Sequence, residues 1–160
     1  MSEAKNEATN EDQPQMDFGI QRIYVKDLSY EAPNSPQIFK EDWNPKVEID
    51  LQSKSNRLEE GIYEVVLSVT STVKVNDKMA FLVEVQQAGI FTIRHFPDEQ
   101  VQHLLGSFCP SIIFPYARES ITDLVTRGGF PQLYLAPINF DAIYQQRLAR
   151  EQQEAAESNG

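Results

Sequence analysis

Between Tyr63 and Val75 the chain alternates almost without a break. Tyr63, Val65, Leu67, Val69, Ser71, Val73 and Val75 share one parity, while Glu64, Ser68, Thr70, Thr72 and Lys74 supply most of the other. Only a pleated strand sends successive side chains to opposite sides, so this run predicts a strand with one buried and one wet face. Asn76-Asp77 predicts a hairpin turn. Met79–Ile93 then returns with Phe81, Val83, Val85, Phe91 and Ile93 on one parity and Leu82, Glu84 and Gln86 on the other. Gly89 within it predicts a bulge or a close approach. Ile20–Tyr30 and Val47–Leu51 add two strands, which makes a four-stranded antiparallel sheet.

The connection between the first two strands, Glu31–Lys46, carries Pro33, Pro36 and Pro45 together with Phe39 and Trp43. A loop of that length covers something or binds something, and a solvated loop has no need of two large aromatics. After residue 98 the period changes. Glu99–Leu105 predicts a short helical turn. Pro115 is expected at the first position of the next helix, where its missing N–H costs nothing. Its stripe is Ala117, Ile121, Leu124 and Val125, and Gly128-Gly129 ends it. Asn139 predicts the cap of a second helix with the stripe Phe140, Ile143, Tyr144 and Leu148. Strands first and helices after give an α+β fold, with the helices packed on one face of the sheet.

The chain has 160 residues and a formal net charge of -10, enough for one domain with its own core. That charge repels nucleic acid and anionic lipid. Residues 1–16 and 151–160 are polar and aperiodic, so they read as flexible tails around a single domain at 17–150. The beginning of the sequence lacks a signal-peptide pattern and no apolar run is long enough to span a bilayer, which predicts a cytoplasmic protein without membrane insertion. The single cysteine, Cys109, has no basic neighbour in sequence and reads as an inert thiol. His95 and His103 flank Asp98 and Glu99 without recognised metal-ligand spacing. Nucleotide-binding and hydrolase motifs are absent as well, so neither a cofactor nor an enzymatic activity is expected.

Two constellations remain. If the helices cover the apolar parity, the open face carries Asp27, Ser29, Glu31, Glu48, Asp50, Glu64, Leu82 and Glu84, only partly offset by Lys46 and Lys74. Such a plateau suits a basic protein partner, and equally an ordinary solvated sheet face. The second is the aromatic set Phe39, Trp43, Phe114, Tyr116, Tyr134, Phe140 and Tyr144. Core packing accounts for any one of them, whereas together they suit a groove that grips extended, non-native polypeptide.

The runs FPYARE, GGFPQL and LAPINFDA, between Phe114 and Ala142, resemble the SecB family of bacterial export chaperones. So do EVQQAGIF (Glu84–Phe91), YEVVL (Tyr63–Leu67) and IQRIYVKDLSYEAP (Ile20–Pro33). The blocks stand in family order and cover about Phe18 to Leu148. The resemblance implies a Greek-key-like crossover and a homotetramer built as a dimer of dimers, with Val83, Val85 and Gln87 affecting assembly. It implies an ATP-independent holdase for unfolded precursor proteins, which line up along the aromatic groove. It also implies docking of the export ATPase SecA at Asp27, Glu31, Leu82 and Glu84. An acidic adaptor without a client groove, and a chaperone dedicated to one client such as an antitoxin, are the alternatives.

Overall fold

The computed structural model describes residues 14–159. Most of the predicted N-terminal tail, residues 1–13, and the final residue of the C-terminal tail lie outside them. Four strands form one antiparallel sheet: β1 (Asp17–Glu31), β2 (Pro45–Glu59), β3 (Ile62–Val75) and β4 (Lys78–Arg94), in the order β1-β4-β3-β2. Consecutive strands β1 and β2 therefore occupy opposite edges. The crossover joining them passes the end of the sheet through a short 3-10 turn, Gln37–Lys40. Ile38 anchors it in the core, the Asn34 side chain donates to the Met79 carbonyl at 2.9 Å, and Glu41 accepts from Lys78 and Asn76, each at 2.9 Å.

The β3–β4 hairpin turns at Asn76 and Asp77, whose φ values are 51° and 62°. Both central residues are left-handed, which the short polar side chains of Asn and Asp tolerate without glycine. Gly89 is not a bulge, because it pairs in register with Val65 and with Ile23. A Cβ there would lie 2.8 Å from the Phe91 ring and 3.1 Å from Ile23, so close approach of those side chains is what glycine permits.

From Asp98 the chain is helical without interruption to Arg127, in three segments: α1 (Asp98–His103), a π turn (Leu104–Phe108) and α2 (Cys109–Arg127). The expectation that a helix begins at Pro115 is corrected here: Pro115 lies inside α2, on its exposed side. A proline is a start signal only at a helix's first turn, and in α2 that place belongs to Pro110. The π turn sits immediately before Pro110, where a missing N–H would leave a gap in the regular hydrogen-bond ladder, and widened turns are how helices absorb such gaps.

Helix α2 presses Ile113, Ala117, Ile121 and Val125 onto β4 and β3, against Val65, Leu67, Val69, Phe81, Val83 and Val85. Gly129, with φ 86°, ends the helix, as only glycine adopts that conformation at no cost. Asn139 caps α3 (Phe140–Ser158) by accepting from the Ala142 N–H at 3.0 Å. The helix continues to Ser158, although Glu151–Ser158 carry no apolar stripe and are exposed. The helix-forming residues Glu, Gln and Ala of that stretch account for its conformation without packing.

Candidate functional site

Pairing register fixes what each sheet face presents. Directly opposed residues in an antiparallel sheet share a face. The rows Glu31–Leu82–Thr72–Glu48, Ser29–Glu84–Thr70–Asp50 and Asp27–Gln86–Ser68–Gln52 therefore all point away from α2. Asp27, Glu31, Glu48, Asp50 and Glu84 are exposed on this open face, with Leu82 half-buried among them. Glu64 lies on it too but is already engaged. Its carboxylate accepts from the Tyr24 hydroxyl and pairs with Lys26 Nζ at 3.0 Å, and only 12% of its side chain is exposed. The Tyr24 hydrogen bond, helped by Lys26, holds the Glu64 carboxyl below its ordinary pKa despite burial. Burial and the same carboxylate push the Tyr24 phenol up to about 12.

A depressed folded-state pKa stabilises above the ordinary carboxylate value and is lost as pH falls through the lower one. Denaturant unfolding between pH 5 and pH 2 is therefore expected to show a steeper loss of stability in the wild type than in Glu64→Gln. Equal slopes would show that Glu64 contributes nothing to acid lability.

The aromatic set divides in two. Phe114, Phe140 and Tyr144 are buried: Phe114 and Phe140 meet edge-on at 5.8 Å, and Tyr144 packs where a Cβ on Gly106 would stand. These three are core in this protomer. Phe39 (50% exposed), Trp43 (41%), Tyr116 (47%) and Tyr134 (82%) are open to solvent. Tyr134 lines a cleft of about 900 Å³ between α2 and the connector leading to α3, together with Pro115, Arg118, Thr122 and Leu135.

Phe39 and Trp43 rest on one ring. Phe130, just past the end of α2, lies 5.1 Å from Phe39, 5.8 Å from Trp43 and 5.0 Å from buried Phe81. It is the floor that joins the exposed pair to the core. Phe130 is not in the aromatic set that the sequence suggests for the groove, and the signal available was its position directly after the Gly128-Gly129 stop. Helix α2 covers β4 and β3, so the helix-side face of β2 has no roof at its start, where Val47 and Ile49 are exposed. Those two residues belong to the site and were missed, although their strand alternation was readable. Phe39, Trp43, Val47 and Ile49 form an uncovered apolar band on the crossover and the edge strand that follows it.

Val83, Val85 and Gln87 are buried beneath α2 within the protomer. The Gln87 amide donates to the Tyr24 carbonyl at 3.1 Å, beside the register shift between Val25 and Asp27. Cys109 is buried, and burial pushes its thiol up to about 12, too high for a reactive thiolate at neutral pH.

The family described as preprotein translocase subunit SecB matches residues 10–151. The chain belongs to the SecB family. The protein-export protein SecB of Methylococcus capsulatus is 58% identical over 143 residues, covering 89% of this chain and 92% of that protein. The SecB of Marinobacter nauticus is 53% identical over 156 residues, covering 98% and 94%. Among solved structures, a SecB-like chaperone of Mycobacterium tuberculosis in complex with an antitoxin peptide superposes with a TM-score of 0.64 at 15% identity. That match covers 76% of this chain and 90% of the other, and it shows that the SecB fold is shared.

Proposed function

We propose that this protein is an ATP-independent chaperone that captures unfolded precursor polypeptides and passes them to SecA for export. Relatives named as export proteins at 53–58% identity support the class of function. The observation that carries the mechanism is the unroofed apolar band: Phe39 and Trp43 stand exposed on a buried aromatic floor, next to Val47 and Ile49 on the uncovered start of β2. An extended chain offers apolar side chains to such a band, whereas a native protein has buried them. Binding the unfolded state alone draws clients away from folding by mass action. Each contact is weak because the client loses chain entropy on ordering. A homotetramer of four such bands would restore affinity through effective concentration.

The open face supplies the second half of the cycle. Asp27, Glu31 and Glu84 around Leu82 give a cationic partner charge complementarity with an apolar contact among the carboxylates, which suits SecA. Val83, Val85 and Gln87 would influence assembly through the seating of α2 on β4, since their side chains are enclosed. No described helix is long and apolar enough to cross a membrane, and a cytoplasmic location fits a chaperone that meets precursors before export. Dedication to a single client, such as an antitoxin, rests on a relative at 15% identity and is the weaker reading.

Two assays test the proposal. A molar excess of the protein is expected to arrest refolding of a slow-folding precursor, and unhindered refolding would refute the chaperone. Charge reversal at Asp27 and Glu84 is expected to weaken SecA binding by roughly tenfold or more while client capture persists. Equal loss of both activities would show that these residues serve the fold instead.

A further inference from the structure

The open face is not uniformly acidic, and the order of its charges follows from the register. Strand β1 contains two register shifts, between Ile20 and Arg22 and between Val25 and Asp27. Each adds one polar residue to the open side. Gln21 donates to Thr92 Oγ1 at 2.8 Å, and Lys26 reaches Glu64. Past the three rows that hold the five exposed carboxylates, the next rows are Tyr24–Ala88–Val66–Lys54 and Arg22–Ile90–Glu64–Asn56. The sign of the charge reverses there. A depression of about 470 Å³ opens there, walled by Lys26, Lys54, Gln52, Gln86 and Asn56, with the Glu64 carboxylate also in its lining. Lys26 and Glu64 satisfy each other, whereas Lys54 is exposed and has no ion-pair partner among the described residues. Donors outnumber free carboxylates in this depression, so it suits a carboxylate.

We infer that the depression at Lys54 is an anion subsite for the protein that docks on the open face. The partner's docking segment would then be bipolar, with cationic groups over Asp50, Glu84 and Glu48 and an acidic side chain over Lys54. At about 3.3 Å per residue along β2, the two charges are separated by about 13–20 Å. This inference rests on the reading of the open face as the SecA-docking surface, and it adds a direction: a segment with opposite charges at its two ends fits in one orientation only. An acidic plateau by itself would accept a basic segment either way round.

The two descriptions give opposite signs in one experiment. Binding of purified SecA to the full-length protein is measured at low and physiological salt for the wild type, Lys54→Gln, Lys54→Glu and Asp50→Lys. A bipolar site predicts that Lys54→Glu weakens binding by roughly threefold or more, Lys54→Gln by less, with both effects shrinking as salt rises. Attraction to total negative charge predicts that Lys54→Glu tightens binding. Tightening or no change, with Asp50→Lys still weakening, overturns the anion subsite and leaves the docking surface intact. If Asp50→Lys and the charge reversals at Asp27 and Glu84 all leave binding unchanged, the docking surface itself is wrong. Circular dichroism melts of the exposed-site variants serve as the folding control, and Lys54→Gln keeps the test alive if the reversal is poorly tolerated.

Discussion

Replacing Phe130 with alanine is expected to cost about 3–5 kcal/mol of unfolding free energy and to abolish most client capture. The ring is buried, touches Phe81 at 5.0 Å in the core, and supports both Phe39 and Trp43 from below. Its removal leaves a cavity against the sheet and lets the two exposed rings collapse into it. Phe39→Ala and Trp43→Ala serve as the comparison. Both side chains are about half exposed, so each is expected to cost about 1 kcal/mol or less in denaturant unfolding while reducing client binding strongly. If Phe130→Ala destabilises the protein and client binding survives in the residual folded fraction, the aromatic floor is structural only.

The second large effect is expected at Gly128, at the end of α2. A Cβ there would lie 1.8 Å from the Tyr30 hydroxyl oxygen and 2.6 Å from its Cζ. The backbone is not the obstacle, because φ is -74°. Gly128→Ala must push Tyr30 out of its place beside the helix end, at about 1–3 kcal/mol. The Tyr30 hydroxyl is buried with no hydrogen-bond partner, and burial raises its pKa. Tyr30→Phe is therefore expected to be neutral or stabilising on its own. In the double variant it should recover part of the loss, because the nearer of the two clashing atoms is gone. A double-mutant cycle by chemical denaturation measures that coupling, and strict additivity would contradict the packing described here.

The sheet was legible because its two central strands bury one face completely. In β3 and β4 the buried parity runs from Val65 to Val75, interrupted only by the buried Ser71, and from Phe81 to Val85, and burial follows it. The edge strands were less legible, for different reasons. The helix-side residues of β1 are Phe18, Ile20, Ile23, Val25, Leu28 and Tyr30, spaced by two, three, two, three and two. Each spacing of three marks a residue added at a register shift, so strict alternation fails while the strand persists. In β2, residues Gln52–Glu59 are mostly polar on both sides. They are strand because β3 offers a ladder to pair with, a tertiary cause that local sequence does not encode.

The acidic plateau was read correctly from parity alone, since register turns parity into geometry: Asp27, Glu31, Leu82 and Glu84 do share one face. The aromatic set was less readable. Composition gives no way to separate Phe114, Phe140 and Tyr144, which are enclosed, from Phe39, Trp43, Tyr116 and Tyr134, which are not. That division depends on where α2 ends and which strand it leaves uncovered. A helix start at Pro115 lies too far along the chain to show that α2 roofs β3 and β4 and leaves the first residues of β2 uncovered.

The claim on which the rest stands is that non-native chains lie along the crossover and the uncovered start of β2, at Val47 and Ile49. Photo-crosslinking tests it most directly, with a benzophenone side chain introduced at position 43 or 47 and another at position 123, on the exposed side of α2. Adducts with an unfolded precursor from positions 43 and 47, few from 123, and none with the same precursor once folded are the expected result. Adducts from 123 alone, or equal yields with folded and unfolded precursor, would contradict it.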